Sequence, residues 1–149
     1  MNTELFPIIF IALYVGHSVG DHWVQTGHQS AHKHQKDKEG IHACLAHVTT
    51  LTATKLVFLL PVLAMNEWPS VWWLCAGILL DASSHYWADR RFTLEGLAKW
   101  VGKSGFYHLG TDSLHRDAPD GAHIGTGKYA LDQAFHHLFL FVSAVMISL

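Results

Sequence analysis

Charged residues are scarce in this chain of 149 residues, and they leave no excess of positive charge. Only 15% of the residues are Asp, Glu, Lys or Arg, and the formal net charge at pH 7 is −2. Binding to nucleic acid requires a basic surface that neutralises phosphates, so we expect no nucleic-acid partner. Half of the residues are hydrophobic, which favours a membrane protein over a soluble domain.

Cysteine is also rare, and several catalytic and binding motifs are missing. Cys44 and Cys75 are the only two cysteines, and both lie in apolar segments. A disulfide framework needs more cysteines in a loop-rich chain, so we interpret both as buried thiols. There is no glycine-rich phosphate loop, CxxC pair or GxSxG turn. The stretch MNTELF has no Lys or Arg, whereas secretory signals begin with positive charge, so we expect the first apolar run to be retained.

Four apolar segments predict a single integral membrane domain over residues 1–149. A helix needs about 20 mostly apolar residues to cross a hydrocarbon core of roughly 30 Å. The segments that meet this condition are 4–26, 41–65, 68–90 and 129–149. None alternates strictly as a barrel strand does, and helices satisfy their own backbone groups in lipid. The predicted fold is all-α, a four-helix transmembrane bundle with up-down-up-down topology.

The few positive charges predict how this bundle is oriented. Nine of the ten Lys and Arg residues lie in or at the edges of the predicted loops 27–40 and 91–128, and Lys55 alone lies inside a span. The positive-inside rule therefore places both loops in the cytoplasm and both termini outside. We expect a multi-pass protein of the bacterial inner (cytoplasmic) membrane, in contact with membrane lipid. A homo-oligomer is left open.

The loop 91–128 contains the pattern of a short amphipathic helix. Leu94, Leu97, Ala98 and Val101 recur at i, i+3, i+4 and i+7. We interpret this segment as an interfacial helix on the inner leaflet, between spans three and four. The alternative is a short helix that caps the bundle.

Histidine is abundant, with 13 residues against ten of Lys and Arg together. Several histidines stand with aspartates at helical spacing inside the predicted spans. These groups are His17, Asp21 and Gln25 in span one, His47 in span two, Asp81, His85 and Asp89 in span three, and Asp132 and His136 in span four. They lie at the C-terminal ends of spans one and three and at the N-terminal ends of spans two and four. An up-down-up-down bundle brings those four ends together, at the cytoplasmic edge.

Imidazole and carboxylate are the ligands of Zn, Mn and Fe in many sites, and ionisable residues inside spans mark functional sites. We therefore expect one or two divalent metal ions, with Zn first and Mn or Fe as alternatives. The predicted ligands are His17, Asp21, His47, His85, Asp132 and His136. A metal-bound water could then attack a substrate, which predicts a metal-dependent hydrolase of a lipid or a phosphorylated amphiphile. Asp81 or Asp89 is the predicted general base, and Gln25 is a further catalytic candidate.

Two non-enzymatic hypotheses are alternatives to the hydrolase. The groups could relay protons or ions as a carrier, or His–Asp pairs could hydrogen-bond across helices in a membrane scaffold. For Lys55 we expect a buried ion pair with Asp81, with contact to an anionic substrate as the alternative. Outside the spans, His28, His32 and His34 are interpreted as solvated loop residues. Three further histidines, His108, His115 and His123, are candidates to cover the site from the long loop.

The ordered set of motifs resembles a family of small bacterial and phage membrane proteins described as a domain of unknown function. The resemblance lies in His17-x-x-x-Asp21-x-x-x-Gln25, a later Lys33, and His47 at the start of span two. The stretches DASSHYWADRR and GTGKYALDQAFHH are similar to the actinobacterial and actinophage branch. The resemblance implies a polytopic membrane protein and no activity. A looser similarity in motif style is to membrane-bound metal-dependent hydrolases.

Overall fold

The structure is a computed structural model that describes residues 4–66, 68–110 and 124–149, and every regular element in these ranges is helical. The elements are α1 (Leu5–Val19), a π turn (Gly20–Val24), α2 (Gly27–His32), α3 (Lys38–Ala64), α4 (Val71–Asp89), α5 (Phe92–Trp100), α6 (Ser104–Tyr107) and α7 (Gly127–Ile147). The all-α class is confirmed for the described residues.

Three helical segments are long and apolar enough to cross a membrane. They are Leu5–Val24, Lys38–Ala64 and Gly127–Ile147, and they correspond to the first, second and fourth predicted spans. The predicted span at 68–90 forms α4, but α4 does not meet the same criterion of composition. Its second half carries Asp81, His85 and Asp89, which lower its mean hydropathy.

The four long helices pack in pairs that contact each other. α1 packs mainly on α3 and α4 mainly on α7, while smaller contacts join α1 to α7 and α3 to α4. An apolar core lies between the first half of α1 and the second halves of α3 and α7. It consists of Leu5, Ile9, Ala12, Leu13, Leu59, Leu63, Leu140, Ala144 and Ile147. The polar side chains described below lie at the other end of these helices.

Two glycines let α1 come close to α3 just before the polar end. A Cβ atom on Gly16 would lie 2.7 Å from Lys55 Cα, and one on Gly20 would overlap the tip of the Leu51 side chain. Small residues four positions apart are a common device for close packing of membrane helices. The helix widens into the π turn at Gly20, and the Gln25 N–H donates to the Gly20 carbonyl at 2.9 Å. Single π turns often mark functional sites, and this one contains Asp21.

The predicted loop 27–40 contains regular structure, because α2 and the first turn of α3 lie within it. The Thr26 hydroxyl accepts from the Gln29 N–H, and the Gln29 side chain accepts from the Thr26 N–H, which together form a capping box. The signature Thr-x-x-Gln at 26–29 is visible in the sequence. α2 was missed because its residues are polar on all sides and give no apolar period.

The predicted amphipathic helix is present as α5, and its apolar stripe packs on protein except at Val101, which is 51% exposed. Leu94 and Ala98 are buried against Tyr107, with Leu131 and Phe135 of α7 packed beside them. This packing favours the alternative in which the helix caps its neighbours.

The two cysteines differ in exposure, and the expectation that both are buried is wrong for Cys75. Cys44 is buried, whereas Cys75 is exposed. Cys75 lies on the outward apolar face of α4, which also carries the exposed side chains of Trp72 and Leu79. An apolar segment identifies a helix here but does not say which of its faces is covered by protein.

Candidate functional site

Two imidazoles and two carboxylates from three elements meet at the polar end of the helices: Asp21 from the π turn, His47 from α3, and His85 and Asp89 from α4. His47 Nε2 of α3 and His85 Nε2 of α4 are 3.1 Å apart. Asp89 Oδ2 lies 3.2 Å from each of these nitrogens, and Asp21 Oδ1 lies 3.3 Å from His47 Nε2 and 3.9 Å from His85 Nε2. His47, His85 and Asp89 are almost completely buried. Four atoms that can each donate an electron pair to a cation thus face one another.

Three more side chains border these four. The His136 ring lies 4.0 Å from the His85 ring and the His17 ring lies 5.4 Å from it, measured between ring centroids. His136 Nδ1 is 3.5 Å from Asp132 Oδ2, and His17 Nε2 is 3.7 Å from Asp21 Oδ2. We call the seven residues the His/Asp cluster: His17, Asp21, His47, His85, Asp89, Asp132 and His136. All six predicted metal ligands belong to it, together with Asp89.

Two overlapping triplets within the cluster have the spacing of a metal site. In Asp21, His47 and His85, and again in His85, Asp89 and His136, one ligand atom of each residue lies within 4.8 Å of the other two. His85 belongs to both triplets. The donor atoms are therefore arranged around two adjacent positions that share one imidazole.

Several polar atoms of the cluster are buried without a hydrogen bond. Within the described part of the chain, these include both ring nitrogens of His17 and of His136, Asp21 Oδ1 and Asp89 Oδ2. Buried polar atoms in native proteins are nearly always satisfied, and an unsatisfied group costs about 1–3 kcal/mol. A group of such atoms facing one another calls for a partner between them, such as a metal ion or water.

Lys33 supports the cluster from the segment that follows α2. Its Nζ lies 2.8 Å from Asp89 Oδ1, and with the Gln25 amide turned to face it, the Gln25 oxygen accepts from Nζ at 3.0 Å. Burial lowers the pKa of the Lys33 amine, but the carboxylates of Asp89 and Asp21 outweigh burial, so that the pKa is raised above its usual value. Arg90 donates to the carbonyls of Lys33 and Gln35 and so ties this segment to the end of α4.

The candidate general bases are placed in different surroundings. Asp89 is in the cluster, whereas the Asp81 carboxylate accepts from Lys55 Nζ at 2.8 Å and 3.0 Å. Lys55 and Asp81 are both buried, as expected for an ion pair inside the helices. The ion pair therefore occupies both oxygens of Asp81, whereas Asp89 keeps Oδ2 among the ligand atoms of the cluster.

A cavity of about 390 Å³ opens beside the cluster. Asp21, Asp89 and Asp132 line it on the cluster side, and Gln25, Lys33 and Arg91 line it elsewhere. Arg91 has a positive φ of 54°, a backbone conformation that is uncommon for a residue with a side chain. The cavity therefore combines carboxylates next to imidazoles with cationic and amide groups that could contact an anion.

The remaining predicted histidines do not join the cluster where the structure describes them. His28 and His32 lie on the surface of α2, and His108 lies 3.8 Å from Glu95 on the surface. His115 and His123 are outside the described residues. No pattern in the sequence predicts a role in the site for Arg91 or for the π turn. Lys33 is singled out only by the resemblance to the small membrane protein family.

The chain was compared with protein-family models, curated proteins and solved structures, and none of the three comparisons found a match.

Proposed function

We propose that the chain crosses a bacterial inner membrane four times, with both termini outside and the His/Asp cluster near the cytoplasmic face. Support for α4 as the additional span comes from the direction of its side chains. Its exposed face is apolar, with Val71, Trp72 and Leu79 each more than half exposed, while Asp81 and His85 point inward. A helix that is polar inside and apolar outside suits lipid even when its mean hydropathy is low.

The position of the end of α4 supports the same proposal. Arg90 and Asp89 contact the segment between α2 and α3, so α4 ends where α3 begins. The 19 residues of α4 span about 28 Å at the rise of an α-helix, close to the thickness of a hydrocarbon core. α4 therefore returns along most of the length of α3, as a crossing helix must.

We propose further that the cluster binds one or two divalent metal ions, with Zn the first choice and Mn or Fe the alternatives. The observation that carries this proposal is the convergence of buried imidazole nitrogens on two carboxylate oxygens, Asp21 Oδ1 and Asp89 Oδ2, that have no hydrogen bond. The donor set suits these ions. Lys33 bonded to Asp89 would then serve as the partner that orients a ligand and balances charge around the site.

The activity that we propose for this site is hydrolysis of a phosphoester in a lipid or another phosphorylated amphiphile. A bound ion would supply Lewis acidity and an acidified water. In the reaction, the water oxygen bonds to phosphorus, the bond from phosphorus to the alcohol oxygen breaks, and the proton from water ends on the leaving alcohol. We assign Asp89 to proton transfer or to metal binding. Gln25 and Lys33 are assigned to binding the phosphate group, and Asp81 is assigned a structural role as the partner of Lys55.

An apolar surface beside α5 and α7 supports an amphiphilic substrate. Leu97 and Phe135 line two adjacent depressions of about 220 and 450 Å³ that are almost wholly apolar. An acyl or prenyl chain could lie along them. We also propose that the chain is related to the small bacterial and phage membrane proteins that it resembles, a relationship that implies several membrane spans and no particular activity.

A scaffold is the second candidate, because the His–Asp contacts themselves join α3 to α4 and to the π turn that follows α1. Such contacts could hold helices together without any ion. A carrier is less well supported, since the opposite end of the described helices is packed with apolar residues and offers no continuous row of polar groups.

The first experiment is metal analysis of the detergent-purified protein by mass spectrometry, with His47→Ala and a matched control, His42→Ala. Both histidines are on α3, but His47 is fully buried in the cluster and His42 is exposed. We expect close to one or two tightly held ions per chain in the wild type and in His42→Ala, and a loss of metal in His47→Ala. A wild-type protein that stays free of metal after reloading would leave the scaffold as the better explanation.

The metal-loaded protein is then assayed for phosphate release from phosphorylated lipids in mixed micelles. Activity that a chelator removes, that added metal restores and that His47→Ala lacks would support the hydrolase. A protein that holds its metal but hydrolyses none of these substrates would count against phosphoester hydrolysis while leaving the metal site intact.

A further inference from the structure

A second group of metal-ligating side chains lies on the surface, at the junction of α2 and α3. His28 and His32 are one turn apart on α2, and Glu39 is in the first turn of α3. Glu39 Oε1 lies 3.9 Å from His28 Nε2 and 3.7 Å from His32 Nε2. One ligand atom of each residue lies within 4.8 Å of the other two. We call these three residues the surface triad.

The local fold holds the triad together without any ion. The capping box of Thr26 and Gln29 fixes the start of α2, and the Asp37 side chain caps α3 by accepting from the Gly40 N–H at 2.8 Å. Gly40 packs so closely on the Gln35 backbone that a Cβ there would overlap the Gln35 carbonyl. The turn between the helices is therefore tight, and the positions of the three side chains are set by backbone that is already ordered.

The hydrogen bonding of His32 leaves its Nε2 atom available to bind a metal. His32 Nδ1 lies 2.9 Å from the His28 carbonyl, and since a carbonyl only accepts, Nδ1 carries the proton. In the neutral ring Nε2 then keeps its lone pair, and Nε2 is the atom that faces Glu39. Metal-binding histidines commonly donate their other N–H to a backbone carbonyl in this way.

We propose that the surface triad is a second site for a divalent transition metal such as Zn²⁺, separate from the His/Asp cluster. Two imidazoles spaced i, i+4 on a helix and one carboxylate supply three ligands of the kinds that Zn²⁺ takes, and water completes the coordination. His28 is 60% and Glu39 55% exposed, so the bound ion exchanges with the solution. The proposal does not depend on the function assigned to the cluster.

A second exposed pair provides the matched control. His108 and Glu95 form another exposed histidine–carboxylate contact, at 3.8 Å, with side-chain exposures of 51% and 53%. This pair has one imidazole where the surface triad has two. It resembles the surface triad in charge, distance and exposure but lacks the two-histidine chelate.

The test is equilibrium dialysis of the full-length protein in detergent against micromolar Zn²⁺, with bound metal counted by mass spectrometry. The variants are His28→Ala/His32→Ala, Glu39→Gln and the control His108→Ala. We expect the double variant to lose one exchangeable ion per chain, Glu39→Gln to hold that ion more weakly, and His108→Ala to bind like the wild type. Circular dichroism melts check that the variants remain folded, as expected because His28, Glu39 and His108 are exposed and His32 is partly exposed.

An equal number of exchangeable ions in the wild type and the double variant would overturn the proposal, as would an equal loss in His108→Ala. The variant His47→Ala separates this proposal from the preceding one. It should keep the exchangeable ion whether or not the cluster binds metal. Metal binding at the surface triad and metal binding at the cluster can therefore be tested independently.

Discussion

At the scale of residues, two sets of buried ionisable groups contrast with each other: the closed Lys55–Asp81 pair and the open His/Asp cluster. Lys55 and Asp81 satisfy each other through two short contacts. The cluster residues instead direct unsatisfied atoms toward one another. Breaking one side of a buried ion pair costs about 3–5 kcal/mol, whereas replacing the whole pair with apolar residues is often neutral. The two groups should therefore respond differently to substitution.

Replacement of Lys55 tests the closed pair. We expect Lys55→Met to destabilise the fold by about 3–5 kcal/mol, because the Asp81 carboxylate stays buried without its cation. The double variant Lys55→Met/Asp81→Leu should recover most of the lost stability. Thermal unfolding in detergent micelles measures both effects.

The same double variant separates a structural role for Asp81 from a catalytic one. If Asp81 only balances Lys55, the double variant keeps its metal content and any hydrolase activity. A stable double variant that has lost the activity would show that Asp81 or Lys55 takes part in the chemistry as well as in the ion pair.

At the scale of elements, the approach of α1 to α3 decides where Asp21 lies. Gly16 faces the backbone of α3 at Lys55, while Gly20 faces the flexible end of the Leu51 side chain. An added methyl group must therefore move a helix in the first case and only a side chain in the second. Overpacking of this kind costs about 1–3 kcal/mol when the neighbours cannot give way.

A pair of alanine substitutions tests this difference. Gly16→Ala should lower the melting temperature in detergent clearly more than Gly20→Ala. It should also reduce metal retention, because α1 carries His17 and leads directly into the π turn that carries Asp21. Gly96→Ala in α5 is the control, since no atom lies within 4 Å of its added Cβ, and it should be neutral or slightly stabilising. Equal losses in Gly16→Ala and Gly20→Ala would mean that the two helices are not held at this contact.

At the scale of the whole molecule, the sequence predicts the features that depend on local periodicity. It does not predict most contacts between residues that are far apart in the chain. The i, i+4 spacing of His17 and Asp21 and their place near a helix end are local features, and the structure puts both residues in the cluster. The Lys33–Asp89 contact joins residues that are far apart in the chain, so no local sequence pattern predicts it. The expected Lys55–Asp81 pair is present because two opposite charges buried in one set of apolar helices have few other partners.

The number of membrane crossings is the property of the whole molecule that most affects the proposed function. If α4 crosses, Met65 and Lys99 lie on opposite sides of the membrane, and Lys36 lies on the side of Lys99. If only the three apolar helices cross, Met65 and Lys99 share a side and Lys36 lies opposite. All three residues are exposed, so a cysteine at each can report its side.

Cysteine labelling distinguishes these topologies. Met65→Cys, Lys99→Cys and Lys36→Cys are made one at a time in a Cys44→Ala/Cys75→Ala background and treated with a membrane-impermeant maleimide. We expect Met65→Cys to react in spheroplasts and the other two only in inverted vesicles, because the positively charged loops stay in the cytoplasm. Reaction of Met65→Cys and Lys99→Cys from the same side would exclude α4 as a span. Reaction of all three from the reversed sides would keep four spans and move the His/Asp cluster to the outer face, where it would meet a different pool of metal and lipid.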